Sequence, residues 1–316
     1  MFRKSILPIF LSLSVLLGAC STPAASPTAA PTAEPTPKPL ILTDGLGREV
    51  KLAAPARRIV SLAPSNTEIV FALGAGDKLV GRDDFSDYPA EALKVPSIGS
   101  LYPNVNAEVI VALKPDLVLA AGITNPDDVT ALADLGLAVY TTRFAVGFDD
   151  IYADILAVGQ LTGRGDEAEA LVADMQARLQ AVTAKTANVA DKPKVFYEID
   201  ATDPARPYTA GPGTFVDQLL AMAGAANVGN VSAEAYFQIS VEELVAQDPA
   251  MIILGSYTYG GQTPEMVKAR SGWDKIAAVK NDAVYTFDDN LVSRPGPRIV
   301  EGLETLAMLI HPELFK

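Results

Sequence analysis

Short apolar runs alternate with amphipathic stretches along most of this chain, which predicts strands alternating with helices. Arg58-Ile59-Val60-Ser61-Leu62 reads as a buried strand. Ser65-Asn66-Thr67-Glu68 has the spacing of a capping box, and a helix from Thr67 to Leu73 then stops at Gly74. Val80-Gly81 opens the next strand, a helix over Glu108–Leu113 is capped by Asn106 and ended by Pro115, and Leu117-Val118-Leu119 is another strand. Such alternation is the mark of parallel α/β layers.

The pattern then repeats. Lys194-Val195-Phe196-Tyr197 is a strand, and Gly211-Pro212-Gly213-Thr214 opens a helix through Leu220 that ends at Gly224. Val228-Gly229 matches Val80-Gly81. The segment NAEVIVALKPDLVL at 106–119 aligns with SVEELVAQDPAMII at 240–253, so that Glu108 falls on Glu242, Pro115 on Pro249 and the cap Asn106 on Ser240. The expected fold class is therefore α/β, with two similar Rossmann-like lobes.

Between the repeats, Asp166 to about Val189 contains neither Gly nor Pro and sets Leu171, Val172, Met175, Leu179 and Val182 at helical spacing. It predicts one backbone helix roughly 35 Å long, stiff enough to limit relative movement of the lobes. The expected organisation is a signal segment at 1–20, a tether at 21–39, a first lobe at 40–162, a connecting helix at 163–190 and a second lobe at 191–316.

The N-terminus has a different pattern. Arg3 and Lys4 precede an apolar run from Ile6 to Leu17, shorter than the ~20 residues of a membrane-spanning helix and typical of an export signal. It ends in Leu17-Gly18-Ala19-Cys20, which resembles a bacterial lipobox and marks Cys20 for lipidation. Ser21 to Pro39, almost all Ser, Thr, Pro and Ala, cannot bury a core and reads as an extended spacer.

Composition narrows the chemistry. Among 316 residues, 49% are hydrophobic and the net charge is −13, so nucleic acid is a poor partner. The single cysteine excludes an internal disulfide and the single histidine excludes a His-rich metal cage. His311 lies near the end, before Pro312, and reads as a surface helix end. The Gly211-Pro212-Gly213 loop lacks the Gly-Lys-Ser/Thr ending of a phosphate loop. Asp83-Asp84 is the one arguable acid/base pair and reads as a loop. These features point away from an enzyme and toward no resident cofactor or metal.

The segments RIVSLAPSNTEIVFALGAGDKLVG (58–81), FSDYP (85–89), NAEVIVALKPDLVLA (106–120) and SRPGPRIVEGLETLA (293–307) carry a family resemblance over about residues 41–316. With the lipobox and the connecting helix, the chain resembles the helical-backbone class of ABC-transporter substrate-binding proteins, within it the iron–siderophore and vitamin B12 group, and most the B12 binders. The resemblance implies a monomer that holds a small-molecule ligand, a corrinoid or alternatively a ferric siderophore or haem, between two lobes. It implies delivery to a permease dimer from an extracytoplasmic, membrane-anchored position. An exported enzyme or a scaffold lipoprotein is the reading from a different class.

Loops that follow strands supply the candidate ligand-binding residues. They are Ser65, Asn66, Phe85 and Tyr102 in the first lobe, and Tyr208, Tyr236, Phe237 and Arg294 in the second. Tyr257 and Tyr259 are further candidates. By resemblance Phe85, Tyr102, Tyr208 and Tyr236 match aromatic positions of B12 binders, with Tyr102 and Tyr236 standing where those carry tryptophan. For an anionic ligand, Arg82, Arg143, Arg206, Arg294 and Arg298 would matter. Arg294 and Arg298 flank Pro295-Gly296-Pro297, and one of them could instead cap a helix or pair with Glu301. The resemblance assigns Glu108 and Glu242, one per lobe, to contact with permease arginines.

Overall fold

The computed structural model describes residues 39–316. Cys20 and nearly all of the Ser21–Pro39 spacer lie outside them. The first half contains β1 (Leu40–Thr43), β2 (Glu49–Leu52), β3 (Ile59–Ser61), α1 (Pro64–Ala72), β4 (Leu79–Arg82), α2 (Ala107–Ala112), β5 (Leu117–Ala120), α3 (Pro126–Asp134) and β6 (Val139–Thr141). Two helices follow, α4 (Phe148–Thr162) and α5 (Gly165–Thr186). The second half contains β7 (Lys194–Asp200), β8 (Tyr208–Ala210), α6 (Phe215–Met222), β9 (Ala226–Asn227), β10 (Tyr236–Gln238), α7 (Val241–Gln247) and β11 (Met251–Leu254). It ends with α8 (Ser256–Gly260), α9 (Pro264–Lys268), α10 (Ala277–Lys280), β12 (Val284–Thr286), α11 (Asn290–Ser293) and α12 (Ile299–Ile310).

Each half builds its own sheet around parallel strands, the second extended by the antiparallel pair β8 and β10. The first runs β4-β3-β5-β6; the second places β9 on one side of β7 and β11-β12 on the other, the same order. Registers match as well: Ile59 pairs with Leu117, and Val195 with Met251. Lys114 and Asp248 both take positive φ, 49° and 45°, immediately before Pro115 and Pro249. Non-glycine residues seldom adopt that conformation, so its recurrence at matched positions supports the internal repeat.

The inner strands β3, β5 and β11 are buried on both faces, as parallel strands between helices must be. Leu117 and Leu119 of β5 enter a central cluster, while Val118 and Ala120 face an outer cluster with Ile110 and Val129. In β11, Met251 and Ile253 enter the same central cluster, while Ile252 and Leu254 face an outer one with Leu244 and Trp273. The central cluster is continuous across the two halves, because α4, α5 and α12 all contribute to it.

The connection between the sheets is a helical hairpin, where the residue pattern predicts one helix. Gly163, at φ +70°, separates α4 from α5. A Cβ on Gly159 would stand 2.4 Å from that of Ala168, so this glycine lets the two helices touch. Helix α5 also packs on α12, where Arg178 clasps Glu304 through two hydrogen bonds of 2.9 and 2.7 Å.

Other local expectations fail for identifiable reasons. The capping box at Ser65 does not form, because Pro64 starts α1 earlier and places Ser65 and Glu68 inside the helix. Val228-Gly229 opens no strand; those residues are in a single 3-10 turn, since the hairpin strand β8 already occupies that edge of β7. His311 is buried rather than a surface group, with Nε2 3.1 Å from the Gly224 carbonyl.

Candidate functional site

A cavity of about 790 Å³ opens at the carboxyl ends of the first sheet's strands and is closed from the far side by the second half. This is where ligands sit in doubly wound sheets. Residues just past β3, β4, β5 and β6 form most of the wall, including Ser65 in the first turn of α1 and the loop residues Asp83, Phe85, Ile123, Arg143 and Phe144. Tyr102 comes from the long connection between β4 and α2. The second half adds Phe215, Tyr236, Tyr259 and the segment from Val292 to Pro295.

Large apolar side chains stand out into this space. Tyr102 is 87% exposed, Ile123 79%, Phe144 65% and Phe85 58%. Four such groups around one concavity would be costly to leave wet and mark a binding surface. Gly122 makes the wall possible: a Cβ there would lie 2.3 Å from the Phe144 backbone nitrogen, so glycine lets the loops after β5 and β6 meet.

The sequence-derived candidates divide by strand face and hydrogen bonding. Ser65, Phe85, Tyr102, Tyr236 and Arg294 line the cavity, as does Tyr259. Asn66 does not. Its amide is wholly buried under the floor, donating to the Ala120 carbonyl at 2.9 Å and accepting from the Thr142 hydroxyl at 3.3 Å. Phe237 alternates with Tyr236 along β10 and so turns to the outer cluster of the second half. Tyr208 sits opposite Gln238 in the β8–β10 ladder, two pairs beyond the Tyr236–Ala210 pair, and does not reach the cavity. Phe144, Ile123 and Asp83 were not singled out as ligand contacts by their residue pattern. The available signal was their place in loops after predicted strands.

Charge at the wall is paired within the chain. Arg294 is buried, and its Nη1 donates to Asp87 at 2.7 Å and to Glu68 at 3.4 Å. Burial disfavours its charge, yet hydrogen bonds to Asp87 and Tyr259 outweigh that and raise its pKa. Arg298 clasps Glu68 with bonds of 2.9 and 2.6 Å and lies 3.8 Å over the Tyr88 ring. Neither arginine pairs with Glu301. Arg143 donates to Asp154 from its backbone at 2.9 Å and from Nη1 at 2.7 Å. Burial nonetheless pushes the Asp154 carboxyl up to about 6. Asp83 is also raised by burial, although Ser86 and the Phe85 amide donate to it.

Glu108 and Glu242 are exposed and each is the second residue of its helix, α2 or α7. Asn106 and Ser240 cap those helices by accepting from the Val109 and Glu243 amides, both at 3.2 Å. Among the described residues no group of three or more His, Cys, Asp or Glu side chains is placed to hold a metal ion, and no helix is long and apolar enough to cross a membrane.

Two doubly wound α/β lobes, a helical connection and a cavity between them define a two-lobed ligand-binding protein. The chain belongs to the periplasmic binding protein family, whose model matches residues 59–291. It is 35% identical to the ABC transporter substrate-binding lipoprotein YvrC of Bacillus subtilis, over 99% of both chains. It is 30% identical to the vitamin B12-binding protein of Vibrio cholerae, over 79% of this chain and 87% of that one. Among solved structures, the haem-binding protein RhuT of Roseiflexus sp. RS-1 in apo form superposes with a TM-score of 0.73 at 26% identity, covering 82% of this chain and 99% of that one.

Proposed function

We propose that this protein is the extracytoplasmic substrate-binding lipoprotein of an ABC importer and that it captures a corrinoid between its lobes. The observation that carries the choice of ligand is the cavity wall: broad, apolar and aromatic, with both of its arginines already held by carboxylates. A corrinoid is a wide macrocycle rimmed by neutral carboxamides. Aromatic faces suit the ring, and serine, tyrosine and backbone groups suit the rim. Haem propionates and carboxylate siderophores call for free cations instead.

The reading extends to the whole chain. Residues 1–20 direct export and Cys20 carries the lipid, 21–39 space the domain from the membrane, and lobes at 40–162 and 191–316 are joined through 163–190. Glu108 and Glu242, matched by the repeat and exposed on short helices, meet a twofold permease dimer. The protein acts as a monomer. It works by binding rather than catalysis, in keeping with what its relatives are named for.

Calorimetric titration with cyanocobalamin, haem and ferric siderophores tests the ligand. Trp273 is wholly buried and does not line the cavity, so heat is a better readout than its fluorescence. One-to-one binding of cyanocobalamin, tighter than the others, is expected. Tight siderophore or haem binding without cyanocobalamin would overturn the corrinoid assignment. Binding of none would overturn capture altogether.

A further inference from the structure

We propose that Asp87 and Glu68 are specificity-determining residues, because they hold Arg294 captive at the cavity wall and so bar anionic ligands from it. The proposal rests on the cavity being the ligand site, as argued above. Arg294 is the second half's cation at that wall, and its partners Asp87 and Glu68 both belong to the first half. Glu68 spends its charge on Arg298, which it clasps through both carboxylate oxygens. Asp87 is then the counter-ion of Arg294, at 2.7 Å. Two cations face two anions, and no positive charge is left over in the cluster.

The consequence follows from geometry. A free guanidinium at an apolar wall would take a carboxylate through a two-point fork. Here an arriving carboxylate must displace Asp87 and meets its like charge on approach. A neutral carbonyl faces no such barrier, because the guanidinium has five N–H donors and the partners named use only some of them. Asp87 is exposed and can be altered without opening the core, whereas Glu68 is buried.

The decisive experiment compares Asp87→Asn with the wild-type protein in titrations with haem and with cyanocobalamin at low and moderate salt. The ratio of haem to cyanocobalamin affinity is expected to rise about tenfold, equivalent to about 1.4 kcal/mol. Haem binding by the variant should also become more salt-sensitive. Asp87→Glu should restore the original ratio, and adding Arg294→Met to Asp87→Asn should abolish the gain. A purely structural role would weaken both ligands together; that result, an unchanged ratio or no measurable haem binding by the variant would overturn the proposal. Tight wild-type binding of haem in place of cyanocobalamin would overturn the anion barrier and the corrinoid assignment together, whereas cyanocobalamin binding with an unchanged ratio in Asp87→Asn would overturn the barrier alone.

Discussion

Leu62 and Glu198 occupy the same place in the two lobes, three residues on from the matched pair Ile59 and Val195. Leu62 lines the ligand cavity. Glu198 is buried against Arg270, with further hydrogen bonds linking Ser256 to Glu198 at 2.7 Å and Gln262 to Arg270 at 2.8 Å. The strand ends of the first lobe are thus open and apolar, and those of the second are filled by a closed polar cluster. One strand order supports both. The difference shows that duplication supplied the frame, while the residues just past each strand decided which lobe would carry most of the wall.

The largest effect should come from breaking the closed side. Arg270→Ala leaves the Glu198 carboxylate buried without its partner, which costs about 3 to 5 kcal/mol. Urea or thermal unfolding measures it. Replacing both members with apolar residues, as in Glu198→Leu with Arg270→Met, should recover most of the loss. If the single variant proves as stable as the wild type, the polar cluster is not what closes the second lobe.

The open side has its own buried acid, and its signature is in pH. Asp154 sits at about 6 in the folded protein against an ordinary 3.8. Between those values the folded state holds a proton that the unfolded state has lost. Its contribution to stability is therefore complete below about 3.8 and disappears as pH rises through about 6. The span amounts to about 3 kcal/mol at 1.36 kcal/mol per pH unit. Asp154→Asn should flatten the stability profile across that window. An unaltered slope in denaturation between pH 4 and 7 would contradict the assignment.

The same contrast explains what could be read from residues alone. Both sheets were legible because apolar runs such as Leu117–Leu119 and Lys194–Tyr197 stand next to capped helices, signals only a few residues long. Cavity aromatics such as Phe85 and Tyr102 were legible as loop residues after strands. The ion cluster was not. Glu68 has the spacing of a helix cap, and its partners Arg294 and Arg298 lie 226 and 230 residues away. Likewise, nothing local distinguishes Phe237 from Tyr236; the face each takes was decided when β10 paired with β8.

If the first lobe carries the binding energy, removing its exposed aromatics should cost affinity and spare stability. Phe85→Ala and Tyr102→Ala are each expected to weaken cyanocobalamin binding by about tenfold, in line with the 1–2 kcal/mol of an aromatic contact and its buried area. Their melting temperatures should stay near that of the wild type, because both side chains stand largely outside the core. Tyr208→Ala is the matched control on the second lobe and should leave affinity within about twofold. Equal losses at Tyr208 and Tyr102 would erase the asymmetry.

The smallest effect is expected where the lobes are most alike. Glu108 and Glu242 sit on matched helices and carry the same charge, so each should contribute equally to docking on a twofold permease. Exposed charges of this kind act mainly on the rate of encounter. Glu108→Arg and Glu242→Arg should each slow uptake several-fold in reconstituted vesicles containing the importer, with ligand affinity untouched. Together they should slow it by about the product of the single effects. Raising the salt should shrink the difference between wild type and either variant. A strong effect at one position with none at the other would show that the repeat, faithful in backbone, was not kept for the permease.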